Sequence, residues 1–105
     1  MLRIYGVMIE TLGSMKGVMG QIQERDRDLA RQLRRAASSV ALNLAEGSGS
    51  KGGTRMERYR NALGSAREVG ACLDVAEALG YVAVVDPQVR AGLRQVQGTL
   101  VRVIA

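Results

Sequence analysis

Histidine is absent from the 105 residues of the chain. Its absence removes the usual general base near neutral pH, the usual activator of a nucleophile and the commonest transition-metal ligand. The one cysteine, Cys72, can form neither an internal disulfide nor a zinc site by itself, and reads as a small buried hydrophobe in a reducing cytoplasm. Aromatic residues are limited to three tyrosines, with no phenylalanine and no tryptophan, so a core has to be assembled from Leu, Val, Ala, Met and Ile. No apolar run approaches the ~20 residues that cross a bilayer. Residues 1–20, interrupted by Glu10, Lys16 and several glycines, do not read as a signal peptide. A cytoplasmic protein without a membrane partner is expected.

Apolar residues make up 47% of the chain and charged residues 24%, the balance of a soluble globular protein, and the length predicts one domain over 1–105. The net charge is +5, and it is concentrated. Residues 31–60 carry seven basic side chains (Arg31, Arg34, Arg35, Lys51, Arg55, Arg58, Arg60) against two acids, Glu46 and Glu57, while the remainder is balanced.

Four segments repeat apolar residues at helical steps of three and four: Met8, Leu12, Met15, Met19 and Ile22; Leu29, Leu33, Ala36, Val40 and Leu44; Tyr59, Ala62, Ala66, Val69, Leu73 and Ala76; and Val89, Leu93, Val96, Leu100 and Val103. No segment sustains strand alternation, and Val82–Val85, lacking a partner run, reads as a linker. Gly47 and Gly80 suit left-handed helix stops, Thr54 with Glu57 a capping box, and Asp86–Pro87 a helix start. Gly13, Gly17 and Gly20 each cost roughly 1 kcal/mol in a helix relative to alanine, but their spacing would give one small-residue face for close packing. The pattern predicts an all-α protein, an antiparallel up-down four-helix bundle with helices near 3–22, 27–46, 54–79 and 87–104.

The connection between the second and third helices, "AEGSGSKGGTR", contains Gly47, Gly49 and Gly52 in the spacing G-x-G-x-x-G, with Lys51 among them. A dinucleotide fingerprint needs a strand before the first glycine, and here a helix precedes it. In a phosphate loop the lysine follows the glycine, whereas Lys51 comes before Gly52. The stretch therefore reads as a hinge, with anion binding at the following helix N-terminus left as an alternative.

At 100° per residue, Arg27, Arg31, Arg34 and Arg35 oppose the apolar stripe of the second helix. Ala30, Ala37 and Ala41 line one flank, and Ser39, Asn43 and Glu46 the other. Polar groups beside a core stripe need partners if buried, and Ser65 and Glu68, beside Gly64 on the third helix, supply them. Together, "LRRAASSVALNLAEGSG", "ALGSAREV" and "ALGY" resemble the bacterial four-helix-bundle family first met as proteins encoded by intervening sequences in 23S ribosomal RNA genes. The positions that carry the resemblance are Ser39, Asn43, Glu46, Gly47, Gly64, Ser65, Glu68, Leu79, Gly80 and Tyr81, within residues 25–82. Where that family tends to place bulky apolar or aromatic residues before Gly-Ser, this chain has Arg58-Tyr59-Arg60-Asn61.

The resemblance implies a scaffold or accessory protein and not an enzyme. It also implies kinship with the accessory protein of diversity-generating retroelements, and hence a homo-oligomer, a pentamer, with a basic surface. The charge pattern adds an expectation of nucleic-acid backbone binding, RNA or DNA, alone or in a ribonucleoprotein, through Arg27, Arg31, Arg34, Arg35, Lys51, Arg55, Arg58 and Arg60. With no Phe or Trp to stack on bases, contact without sequence readout is expected. The alternative is a protein-protein scaffold with no nucleic-acid role. A carboxylate pair of Glu46 and Glu68 could hold a metal in a helical bundle, but di-iron bundles also need Glu-x-x-His. The expectation is no metal, no cofactor, and a hydrogen-bonding role for both acids.

Overall fold

The computed structural model describes residues 3–105; the first two residues of the expected domain lie outside that range. Among the described residues there are five helices and no strand: α1 (Ile4–Ser14), α2 (Lys16–Arg25), α3 (Arg27–Ser48), α4 (Gly52–Ala78) and α5 (Pro87–Ile104). The expected count of four is corrected to five because the first arm is interrupted at Met15. There the amide is shared between the carbonyls of Thr11 (3.0 Å) and Leu12 (3.1 Å). Gly13 and Ser14 come just before the break, the kind of weak pair at which helices bend. The turn keeps Met15 fully buried.

The helices run lengthwise in a body of 42 × 23 × 21 Å, and the 27 residues of α4 span its long axis, at ~1.5 Å per residue. Ser39 meets Ser65 and Glu46 meets Arg58, so α3 and α4 are antiparallel. Gln97 bonds Ala66 and Arg90 bonds Glu77, so α4 and α5 are antiparallel as well. α3 packs on α4 and α2, and α5 on α4 and α1. Between them Met8, Met15, Ile22, Leu33, Leu44, Leu73, Val69, Val96 and Leu100 are fully buried, each stabilising the fold by about 1.5–3 kcal/mol. No helix among the described residues is long and apolar enough to cross a membrane.

The helix ends are specified by a few side chains. Asp26, in extended conformation, caps α3 by accepting the Leu29 amide on Oδ1 at 2.9 Å. Its other oxygen accepts the Tyr81 hydroxyl at 3.1 Å, tying the α2–α3 turn to the linker after α4. α4 ends on Gly80 at φ 75°, with the Gly80 amide on the Glu77 carbonyl and the Tyr81 amide on the Ala76 carbonyl, a Schellman motif. Asp86 accepts the Gln88 amide at 2.9 Å, and Pro87 opens α5.

Two turn expectations are corrected. Gly47 is not a left-handed stop: it is helical and buried, because the Tyr59 ring lies against it where a Cβ would stand. The left-handed residue of this connection is Gly52, at φ 60°. Thr54 is not the N-cap of α4, which Lys51 precedes as cap without a side-chain bond. Arg55 reaches back from the first turn to the carbonyls of Gly47 and Ser50, and the helix starts at Gly52. The small-residue face of Gly13, Gly17 and Gly20 packs on nothing among the described residues, since a Cβ at each would meet open space. The close helix approach falls instead between α1 and α5, at Gly92 and Thr11.

That crossing yields a prediction. A Cβ at Gly92 would overlap Thr11 Oγ1, which is pinned by donating to the Val7 carbonyl at 2.7 Å. Gly92→Ala gains about 1 kcal/mol of helix propensity but overpacks a buried contact, a change that costs about 1–3 kcal/mol and occasionally more. A lower Tm is expected, with partial recovery in the Gly92→Ala, Thr11→Ala pair; a variant that melts at or above the parent temperature refutes the close contact.

A second prediction comes from Glu77. Its carboxylate accepts the Val85 amide at 2.8 Å and Arg90 Nη2 at 3.0 Å, pinning the linker into α5. The Val85 bond, aided by Arg90 and opposed by partial burial, holds its pKa below the ordinary carboxylate value. A depressed folded pKa gives stability that is complete above the unfolded value and lost as pH falls through the folded one. Glu77→Gln should therefore lower Tm near neutral pH and flatten its decline in acid; parallel Tm–pH curves for parent and variant contradict this.

Candidate functional site

α3 buries Leu29, Leu33, Ala36, Val40 and Leu44, so helical geometry leaves Arg27, Arg31, Arg34 and Arg35 in solvent. Arg27 and Arg35 make no ion pair or side-chain hydrogen bond among the described residues. Arg31 meets Asp28 at 3.2 Å, but the two side chains are 65% and 90% exposed, and a pair this wet holds its arginine weakly. Arg34 Nη2 donates to Gln23 Oε1 on α2 at 3.3 Å. A groove between α2 and α3 is lined by Met19, Gly20 and Gln23 together with Arg27, Arg31 and Arg34.

On the other side of the arginine ridge, Arg34 and Arg35 share a groove with Arg58 of α4, over Ser38, Leu42 and Asn43. Arg58 Nε sits 3.2 Å from Glu46 Oε2, again a half-exposed pair. Lys51 and Arg60 are exposed and line neither groove. Arg55 is half-buried, and its Nε donates to the carbonyls of Gly47 (3.1 Å) and Ser50 (2.9 Å), closing the α3–α4 connection. The structure thus gathers five of the eight basic candidates (Arg27, Arg31, Arg34, Arg35 and Arg58) around two grooves.

The polar residues divide into two groups. Ser65 Oγ donates to Ser39 Oγ at 2.9 Å across the helix contact, and Asn43 Nδ2 donates to the Ser39 carbonyl at 2.9 Å and hydroxyl at 3.1 Å. Glu46 turns outward to Arg58, and Glu68 lines a groove with Ser39 and Ser65. No cluster of three or more acid or thiol groups fit to hold a metal occurs among the described residues. Cys72 is buried, and its thiol is pushed above the ordinary value by burial and then by the charge of Glu68, so it stays protonated and inert near neutral pH.

In the glycine-rich loop, Gly47 is buried in the last turn of α3, Gly49 caps that helix at φ −87°, and Gly52 makes the turn into α4. A helix, not a strand, enters the loop. Four groove residues escaped the sequence reading: Gln23, Ser38, Leu42 and Gln32, the last lining the groove of Ser39, Ser65 and Glu68. Gln23 has no distinguishing spacing. Gln32 follows Arg31, and only its place near Arg35 on the same face marks it. Leu42 did carry a signal: it is two residues beyond Val40, out of phase with the stripe, and it is 61% exposed.

Among curated proteins and among solved structures, no chain matches significantly. The family described as 23S rRNA-intervening sequence protein matches residues 12–99, from within α1 to within α5, and so spans both grooves and the serine contact. The chain therefore belongs to the 23S rRNA-intervening sequence protein family.

Proposed function

We propose that this protein is a non-enzymatic accessory protein of the cytoplasm that binds nucleic-acid backbone through the basic ridge of α3 and the adjoining start of α4. In this reading α1 and α2 act as one arm, completing an up-down four-helix bundle with α3, α4 and α5. The supporting observation is the row of exposed arginines, Arg27, Arg31, Arg34 and Arg35, held on one rigid helix between two grooves with a single exposed acid, Asp28, paired to it. Guanidinium forks fit phosphate oxygens, and each phosphate neutralised releases counterions. The family's name points toward an RNA context.

Binding measured against rising salt tests the proposal. Affinity should fall linearly on a log–log plot. Replacing Arg27, Arg31 and Arg34 by alanine should flatten that slope by about 2 for a single strand, at ~0.7 per phosphate contact, and weaken binding at every sequence. Undetectable affinity at low salt, or a triple variant that binds like the parent, removes the proposal.

We further propose that the protein works as a homo-oligomer, a pentamer by its family resemblance. Light scattering at micromolar concentration should give a multiple of the 11.3 kDa chain mass; a monomer refutes this. The second reading, a scaffold for another protein, is favoured by one observation: Leu42, 61% exposed, lies in the groove shared by Arg34, Arg35 and Arg58.

A further inference from the structure

Between α3 and α4 an open groove of about 490 Å³ is lined by Gln32, Arg35, Ala36, Ser39, Ser65 and Glu68. Its floor is the serine pair. Two hydroxyls joined by one hydrogen bond use only one of their two hydrogens, and Asn43 adds a further donor to Ser39 Oγ. The remaining hydroxyl hydrogen has no acceptor among the described residues, whichever serine carries it. Arg35, Gln32 and Glu68 are exposed and form no ion pair or side-chain hydrogen bond among the described residues. The groove therefore offers a forked cationic donor, a hydroxyl donor and a free carboxylate, on a floor that Asn43 holds in place.

One carboxylate set against one guanidinium gives this groove no net attraction for phosphate; its donors and acceptors suit a neutral, flat, hydrogen-bonding edge. Glu68 presents two acceptor oxygens, and among the common bases only guanine sets two donors, N1–H and N2–H₂, side by side. Next to them guanine carries the O6 acceptor that arginine recognises. A base shows this edge only when unpaired, which requires a single strand.

We infer that this groove seats one guanine of a single-stranded RNA, with Glu68 accepting from N1–H and N2–H₂ and Arg35 or the free serine hydroxyl donating to O6. This assignment rests on the reading of the α3 ridge as the path of the phosphates: Arg31 and Arg34 stand on the same helix, next to Gln32 and Arg35 but outside the groove. It adds base selectivity to a surface expected to have none.

Oligouridine strands with one central guanosine, inosine, adenosine or cytidine, titrated by fluorescence anisotropy beside the all-uridine strand, test the inference. The guanosine strand should bind about tenfold tighter than the all-uridine strand, and inosine, which lacks the 2-amino group, should lose most of that gain. Glu68→Gln should abolish the guanosine preference while all-uridine affinity and its salt slope stay at least as large, since an exposed, unpaired acid is being removed. Equal binding of all five strands, or a preference that survives Glu68→Gln, overturns the guanine assignment and leaves the basic ridge standing. No binding of any strand by the parent protein takes down both.

Discussion

The direct hydrogen bond between Ser39 and Ser65, 2.9 Å long, sets the separation on which the rest of the structure depends. Two side chains of this length can touch only if the axes of α3 and α4 come near the lower end of the 8–10 Å range of packed helices. The residues beside them permit it: Ala36, Ala37 and Ala41 on α3 and Ala62 and Ala66 on α4 are buried and small. At one end of the contact the same closeness brings the Tyr59 ring onto Gly47, where no other side chain would leave room. The side of each helix turned away from these contacts stays in solvent. The arginine ridge and the groove beside it occupy that exposed part.

The apolar stripes of α3, α4 and α5 were legible because burial on one side of a helix leaves a period in the sequence, and Leu33, Val69 and Val96 are buried where that period puts them. The break at Met15 was not legible. Gly13, Gly17 and Gly20 read equally well as a packing face or as weak points, and only the position of neighbouring helices decides between the two. Gly47 shows the same limit from the other side. A glycine after a helical run ordinarily signals a left-handed stop, but its reason here is a ring twelve residues away, which local spacing cannot reveal. Asp26 was available as a signal, an aspartate directly before the helical run, and its second bond to Tyr81 was not, since that contact spans 55 positions.

The candidate site divides along the same line. That Arg27, Arg31, Arg34 and Arg35 face solvent follows from opposing the stripe. What each arginine does there depends on tertiary structure: Arg55 clamps two loop carbonyls, Arg58 leans on Glu46, and Arg35 lines a groove without a partner among the described residues. Charge counting treats these three as equals, and the structure gives them different roles.

The arginine row is also hard to account for by stability alone. Arg27 and Arg31, like Arg31 and Arg35, are four apart on one helix, where like charges disfavour the helix by about 0.2–0.5 kcal/mol per pair. Arg27 is moreover the first residue of α3, where the helix dipole disfavours a cation by about 0.3–1 kcal/mol. Asp26 and Asp28 offset part of this, the first as cap and the second by pairing with Arg31. Neutral glutamine at the same exposed positions would keep the helix propensity and lose the repulsion. A helix that holds four cations on its solvent side against these local costs has an arrangement that a polyanion would turn from unfavourable to favourable. The physical case for a nucleic-acid partner therefore rests on where the charges sit along α3 more than on how many there are.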